Sequence, residues 1–265
     1  MRAVLPLLLG LAGTAHAQVV PTASAADAPI CTDRPTKSNF ACTVPAGAVQ
    51  IEADAFSLLG TGGNGSRTTI IAVTNPTLKL GLTAHSDLQF NWSPHIRVRQ
   101  RDTDGTVRTL SGPGDLTIRY KHRLTDATGA FQLALLPFVK LPTAPTGIGN
   151  GAVEAGLALP INYSLPGGWT ITLGPQLDLL ANAEGRHLGL TGLVNVARQI
   201  GALTLYGELW TSHSLDPAGT TSQYSLDLAL AWLPRPTLQF DVGANIGLNP
   251  QTPDIVGYMG VSTRF

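Results

Sequence analysis

Ile255-Val256-Gly257-Tyr258-Met259-Gly260-Val261-Ser262-Thr263-Arg264-Phe265 closes the chain as one amphipathic strand. At a side-chain period of two, Ile255, Met259, Val261 and Phe265 share one face, while Tyr258, Ser262 and Arg264 share the other. The first face is suited to lipid and the second to a polar lumen, as in a membrane-spanning β-barrel. Phe265 is expected to form part of the signal read by the barrel-insertion machinery.

The same alternation extends back through the chain. Leu88, Phe90, Trp92, Ile96 and Val98 oppose Gln89, Asn91, Ser93, His95, Arg97 and Arg99. Leu116, Ile118 and Tyr120 oppose Arg119, Lys121 and Arg123. Tyr224, Leu226, Leu228, Leu230 and Trp232 oppose Ser225 and Asp227, and Leu238, Phe240, Val242, Ala244 and Ile246 oppose Gln239, Asp241 and Asn245. About twelve such segments fit, near 49–58, 69–82, 88–99, 115–124, 130–141, 152–164, 169–181, 188–198, 202–212, 222–232, 237–247 and 255–265. Tight turns (Thr125 to Gly129, Leu165 to Gly168, Gln199 to Gly201, Pro234 to Pro236) alternate with longer connections (Gly60 to Thr68, Gln100 to Gly114, Pro142 to Gly151, Ser212 to Thr221). The expected fold is therefore all-β: a transmembrane antiparallel β-barrel with short periplasmic turns and longer extracellular loops, in the bacterial outer membrane. Prolines 76, 94, 137, 160 and 175 each remove a ladder hydrogen bond and predict bulges or strand ends.

Composition agrees. Charged residues make up 13% of the 265-residue chain, against about 25% in ordinary soluble domains. Beyond the N-terminus no run supplies the roughly 20 apolar residues of a spanning helix. The N-terminus itself has Arg2, an apolar run from Val4 to Ala12 and Ala15-His16-Ala17, which predicts a signal peptide over residues 1–17. Residues 18–48 read as a periplasmic leader, with plugging of the barrel and a position in the periplasm both open, and 49–265 as the barrel. Cys31 and Cys42 are expected to pair in the oxidising periplasm. Near-neutral charge argues against nucleic acid as a partner; lipid and a small-molecule solute are the expected ones.

Phe131, Tyr163, Trp169, Trp232, Phe240 and Phe265 lie beside the short turns on the apolar parity, as an interface girdle requires. The polar parity sorts charge by sign. Lys79, Arg97, Arg99, Arg119, Lys121, Arg123 and Lys140 form a basic wall; Glu52, Asp54, Glu154, Asp178, Glu208, Asp227 and Asp241 form an acidic wall across from it. Two readings compete: a transverse field in a polar pore, or a structural or adhesive barrel whose walls pair across the lumen and close it. An outer-membrane hydrolase using Ser93 and His95 on one face is a third, without an orienting partner. The Gly147-x-Gly149-x-Gly151 run lacks the helix a phosphate loop needs, and Asp102-Thr103-Asp104-Gly105 lacks the terminal Glu of a calcium loop. No metal or cofactor is expected.

Several short motifs point to one family. They are Thr32-Asp33-Arg34-Pro35, Val44-Pro45-Ala46-Gly47 leading into Gln50-Ile51-Glu52, Lys140-Leu141-Pro142-Thr143 with Thr146-Gly147, and Leu248-Asn249-Pro250 with Thr252-Pro253-Asp254 before Gly257 to Phe265. With these the chain resembles the outer-membrane proteins associated with the MetA pathway of phenol degradation. The resemblance implies a barrel that moves small, aromatic compounds; it does not account for the two cysteines.

Overall fold

A computed structural model describes residues 28–63 and 65–265. The expected signal peptide lies outside the described residues. Strand segments follow one another along the chain: β1 (Val49–Gly63), β2 (Ser66–Thr83), β3 (Ser86–Asn91), β4 (His95–Arg101), β5 (Val107–Gly112) and β6 (Leu116–Arg123). Next come β7 (Phe131–Leu141), β8 (Glu154–Ala158), β9 (Ile161–Leu165), β10 (Trp169–Leu173) and β11 (Gln176–Asn182). The last are β12 (Gly185–Ile200), β13 (Leu203–Leu215), β14 (Thr221–Arg235), β15 (Leu238–Gly247) and β16 (Ile255–Arg264).

All ladders are antiparallel, and β1 pairs with both β2 and β16, which closes the sheet. Val49 and Phe265 exchange backbone hydrogen bonds at the seam. Four staves are interrupted once each, where β3 passes to β4, β5 to β6, β8 to β9 and β10 to β11. Pro94, Pro113, Pro160 and Pro175 stand at these breaks, since proline has no N–H to donate. Counted as staves, the described residues form a closed barrel of twelve strands. Pro76 and Pro137 instead lie within β2 and β7.

The polarity of a soluble protein is inverted. Leu209 is 60% exposed and Val242 49%, on the outer surface, while Gln50, Gln89, Thr172 and Asn195 are buried inside. An apolar exterior of this extent needs lipid against it. Phe131, Tyr163, Trp169, Trp232, Phe240 and Phe265 are all exposed, and Trp232 stacks on Phe240 with ring centroids 5.9 Å apart.

Two features differ from the expected layout. Three of the longer connections are mostly paired strand: β1–β2 pairing runs to Gly63 and Ser66, β4–β5 to Arg101 and Val107, and β13–β14 to Ser214 and Thr221. Backbone ladders need no apolar pattern, so hairpins above the membrane carry no period-two signal. The second difference is parity. The β1–β16 register slips between Asp54 and Phe56, and Thr74 on β2 has a positive φ of 55°. A one-residue slip sends every later side chain to the opposite face. Arg97 pairs with Ile71, and Arg99 with Thr69, on the face continuous with outward Val73. Arg97 and Arg99 therefore stand outside the barrel and are no part of a lumen wall. Ile96 and Val98 point inward in their place.

Candidate functional site

The remaining charges of the two walls do face the lumen, but they meet each other through a third element. The described part of the expected periplasmic leader, residues 28–48, does not stay outside the barrel mouth. It enters the lumen as a loop closed by the Cys31–Cys42 disulfide. At the rim the Ile30 amide donates to the Pro236 carbonyl (2.6 Å), and Gln50 Nε2 donates to the Cys31 carbonyl (2.9 Å).

Further in, the loop carries the inverse of the charge pattern around it. Asp33 meets the basic wall, with Lys79 Nζ at 2.5 Å and Lys121 Nζ at 2.8 Å. Lys79 is shared with Glu52 at 2.5 Å. Arg34 turns the other way, to Asp54 and to Asp241 at 2.5 Å. Lys37 Nζ reaches Asp227 at 3.0 Å, donates to Ser225 Oγ at 2.6 Å and lies 4.2 Å from the centre of the Trp210 ring.

Loop backbone groups complete the fit. The amides of Lys37 and Ser38 donate to the two Glu208 carboxylate oxygens at 3.0 and 3.1 Å. Those of Ala41 and Val44 donate to Asn162 Oδ1 (2.6 Å) and Asp87 Oδ2 (2.9 Å). Lys121 also donates to the Phe40 carbonyl at 2.7 Å.

This arrangement answers a local problem. Glu208 and Asp227 are directly opposed in the β13–β14 ladder, and like charges so placed repel. Lys37 and two backbone amides offset that repulsion. The result is a belt of buried charge: Lys121 is 1% exposed, Glu208 1% and Asp227 0%. Asp33 and Arg34, outside the strands, both feel it. Burial alone would raise the Asp33 carboxyl, yet Lys121 and Lys79 together hold it well below the usual carboxylate range. Burial would likewise lower the Arg34 guanidinium, and Asp241 with Asp54 raise it instead.

Above the belt the lumen opens. A cavity of about 230 Å³ is bounded by Asn39 of the loop, Arg119, Phe138, Lys140, Glu154 and Asp178. Lys140 bridges Asp115 (3.1 Å) and Glu154 (3.0 Å), and Gln176 donates to Asp178 at 2.9 Å. Arg119 makes no ion pair among the described residues and also borders a second space of about 300 Å³ beside Asp33 and Arg34. Below the belt, Arg123 donates to the Ala84 carbonyl at 2.6 Å. Here a wider mouth of about 800 Å³ lies against Cys31, Cys42, Pro45 and Phe265. Ser93 and His95 do not come together: Ser93 is buried and donates to the Thr74 carbonyl at 3.1 Å, whereas His95 pairs with Val73 on the outward face. No group of three or more metal-ligating side chains occurs among the described residues.

The period-two pattern of the strands did not reveal the residues that join the two sides of the lumen. Asp33, Arg34 and Lys37 stand in a segment without periodicity, and their partners lie up to 207 positions away. The available signal was the order of charge, one acid and two bases inside a disulfide loop, opposite in sense to the walls.

Comparison with known proteins agrees with this architecture. An outer membrane channel from Pseudomonas putida F1 superposes with a TM-score of 0.71 at 13% identity, covering 87% of this chain and 100% of that one. The NanC porin superposes with a TM-score of 0.51 at 9% identity, covering 82% of this chain and 99% of that one. At such identities the likeness is one of fold. No curated protein matches the sequence. A closed barrel with this apolar exterior resides in the bacterial outer membrane. Residues 32–265 match the family described as "Putative MetA-pathway of phenol degradation", and the chain belongs to that family.

Proposed function

We propose that the protein is an outer-membrane channel for small molecules, conducting by passive diffusion once the loop over residues 31–42 shifts from the belt. The observation that carries this reading is the division of labour in the lumen. Among the described residues, Asp33, Arg34 and Lys37 of a separate loop bridge the charged walls of the lumen. Ion pairs between a wall and a separate loop can exchange for water and solute without breaking the barrel's backbone ladder. Small aromatic compounds are the proposed solutes, because the family description concerns phenol degradation and Phe138 and Leu136 give the upper cavity an apolar side.

Liposome swelling tests it: purified protein should admit phenol-sized solutes faster than protein-free vesicles do. Folded, vesicle-inserted protein that admits none would favour the second reading, a structural barrel held shut by its ion pairs. The burial of Lys121, Glu208 and Asp227 is the observation on that side.

A further inference from the structure

The two arginines that leave the lumen do not stand alone. On the β2–β4 ladder Arg97 pairs with Ile71, Arg99 with Thr69, and Arg101 directly with Arg67. Opposed residues of an antiparallel ladder share a face, and this is the face on which Val73, 44% exposed, belongs to the apolar exterior. Four guanidinium groups thus continue an apolar column toward the outer rim.

Their height follows from strand geometry. Leu80 pairs with Val49, which bonds Phe265 at the periplasmic end, and Ile71 is nine residues further along β2. A rise of about 3.3 Å per residue and a tilt of about 40° give roughly 2.5 Å per residue along the axis, hence roughly 23 Å. The apolar band of such barrels is about 25 Å tall. Arg97, level with Ile71, therefore marks its upper edge, and Arg99 and the Arg67–Arg101 pair stand roughly 5 and 10 Å higher. That is headgroup depth.

None of the four has an ion pair or side-chain hydrogen bond among the described residues, and the nearby carboxylates are engaged elsewhere. Asp102 accepts from Gln100 (3.1 Å) and lies 3.8 Å from Arg108, while Asp254 accepts from the Gly62 amide (2.9 Å). Like charges directly across a ladder are unfavourable, so Arg67 opposite Arg101 calls for an external polyanion. Planar guanidinium forks suit phosphate.

We propose that this outward column binds a phosphorylated glycolipid of the outer leaflet, its phosphates on Arg99, Arg101 and Arg67 and its acyl chains against Val73 and Ile71. A free anion would not need the apolar column beneath. The inference rests on the barrel's orientation and is independent of whether the lumen conducts.

The test uses full-length protein in detergent, with lipid retention read by native mass spectrometry. The probes are bis-phosphorylated lipid A, the same lipid without phosphates, and inorganic pyrophosphate as competitor. At roughly fivefold per basic residue at a charged membrane surface, Arg67→Gln/Arg99→Gln/Arg101→Gln should weaken lipid A binding by about 100-fold and leave the dephosphorylated lipid unaffected. Should that variant not fold, as judged by its heat-dependent gel mobility, Arg99→Gln alone should lose about fivefold. Equal lipid A binding by wild type and variant would overturn the proposal, as would equal retention of the dephosphorylated lipid. Pyrophosphate displacing lipid A at equal concentration would identify a free-anion site and overturn it too.

Discussion

Replacing Asp33 by Asn removes one charge from the loop and leaves the barrel wall intact. In the native protein that carboxylate faces two buried ammonium groups, Lys79 at 2.5 Å and Lys121 at 2.8 Å. Lys79 keeps Glu52, whereas Lys121 keeps the Phe40 carbonyl and faces, across the β3–β6 ladder, Asp87, whose oxygens already accept from Gln89 and Val44. Breaking one side of a buried ion pair costs about 3–5 kcal/mol, because the abandoned charge stays desolvated. The penalty falls on the docked loop alone, since a displaced loop leaves both lysines open to water. At about 1.4 kcal/mol per factor of ten, the lower figure shifts the balance between docked and displaced loop by more than about 100-fold. Planar-bilayer recording reads this as open probability. Asp33→Asn should spend much more time conducting than wild type, and Lys121→Met on that background should recover part of the closure by removing the orphaned charge. A folded Asp33→Asn protein with wild-type open probability would refute the reasoning.

Three further outcomes follow from the same contacts. Asp33 has a depressed carboxyl, so its docking contribution is complete above its ordinary value of 3.8 and is lost as pH falls below that toward the docked value. The difference in open probability between wild type and Asp33→Asn should accordingly be constant from pH 7 to 5 and shrink only in stronger acid; a shrinkage centred near pH 6 would contradict the assignment. A side chain at Gly260 would meet the Arg34 guanidinium and the Ala53 carbonyl, so Gly260→Ala should dislodge Arg34 from Asp54 and Asp241 and raise conductance, with unchanged conductance counting against the bridge. Opening the loop by Cys31→Ser/Cys42→Ser removes a closure worth about 3 kcal/mol of chain entropy; channel closures should become shorter, while the barrel's resistance to cold detergent persists.

How far the sequence could be read depended on the range of the physics involved. Strand identity was legible because lipid outside and polar lumen inside impose opposite demands on alternate residues, so Leu88 and Gln89 or Leu226 and Asp227 declare their faces locally. Arg97 and Arg99 were misplaced because a single slip reverses parity, and neither Thr74 nor the Trp92 to Pro94 break announces its direction. The hairpins above the membrane were hidden for another reason: backbone pairing between Gly62 and Arg67 or between Gln100 and Arg108 needs no apolar side chain. The lumen loop was harder to read: its order of charge stands in the sequence, but Arg34 and Lys37 meet their partners only when β14 and β15 are wrapped around them.

Residues 31–42 bridge the two charged walls, and in the proposed function they close the lumen. Single-channel conductance of a chain lacking residues 32–41, with Cys31 and Cys42 replaced by Ser, tests it most directly. A large, steady conductance in the shortened protein, against brief or small openings in the full chain, is the predicted result. The same conductance and open probability in both, with both barrels folded, would contradict it.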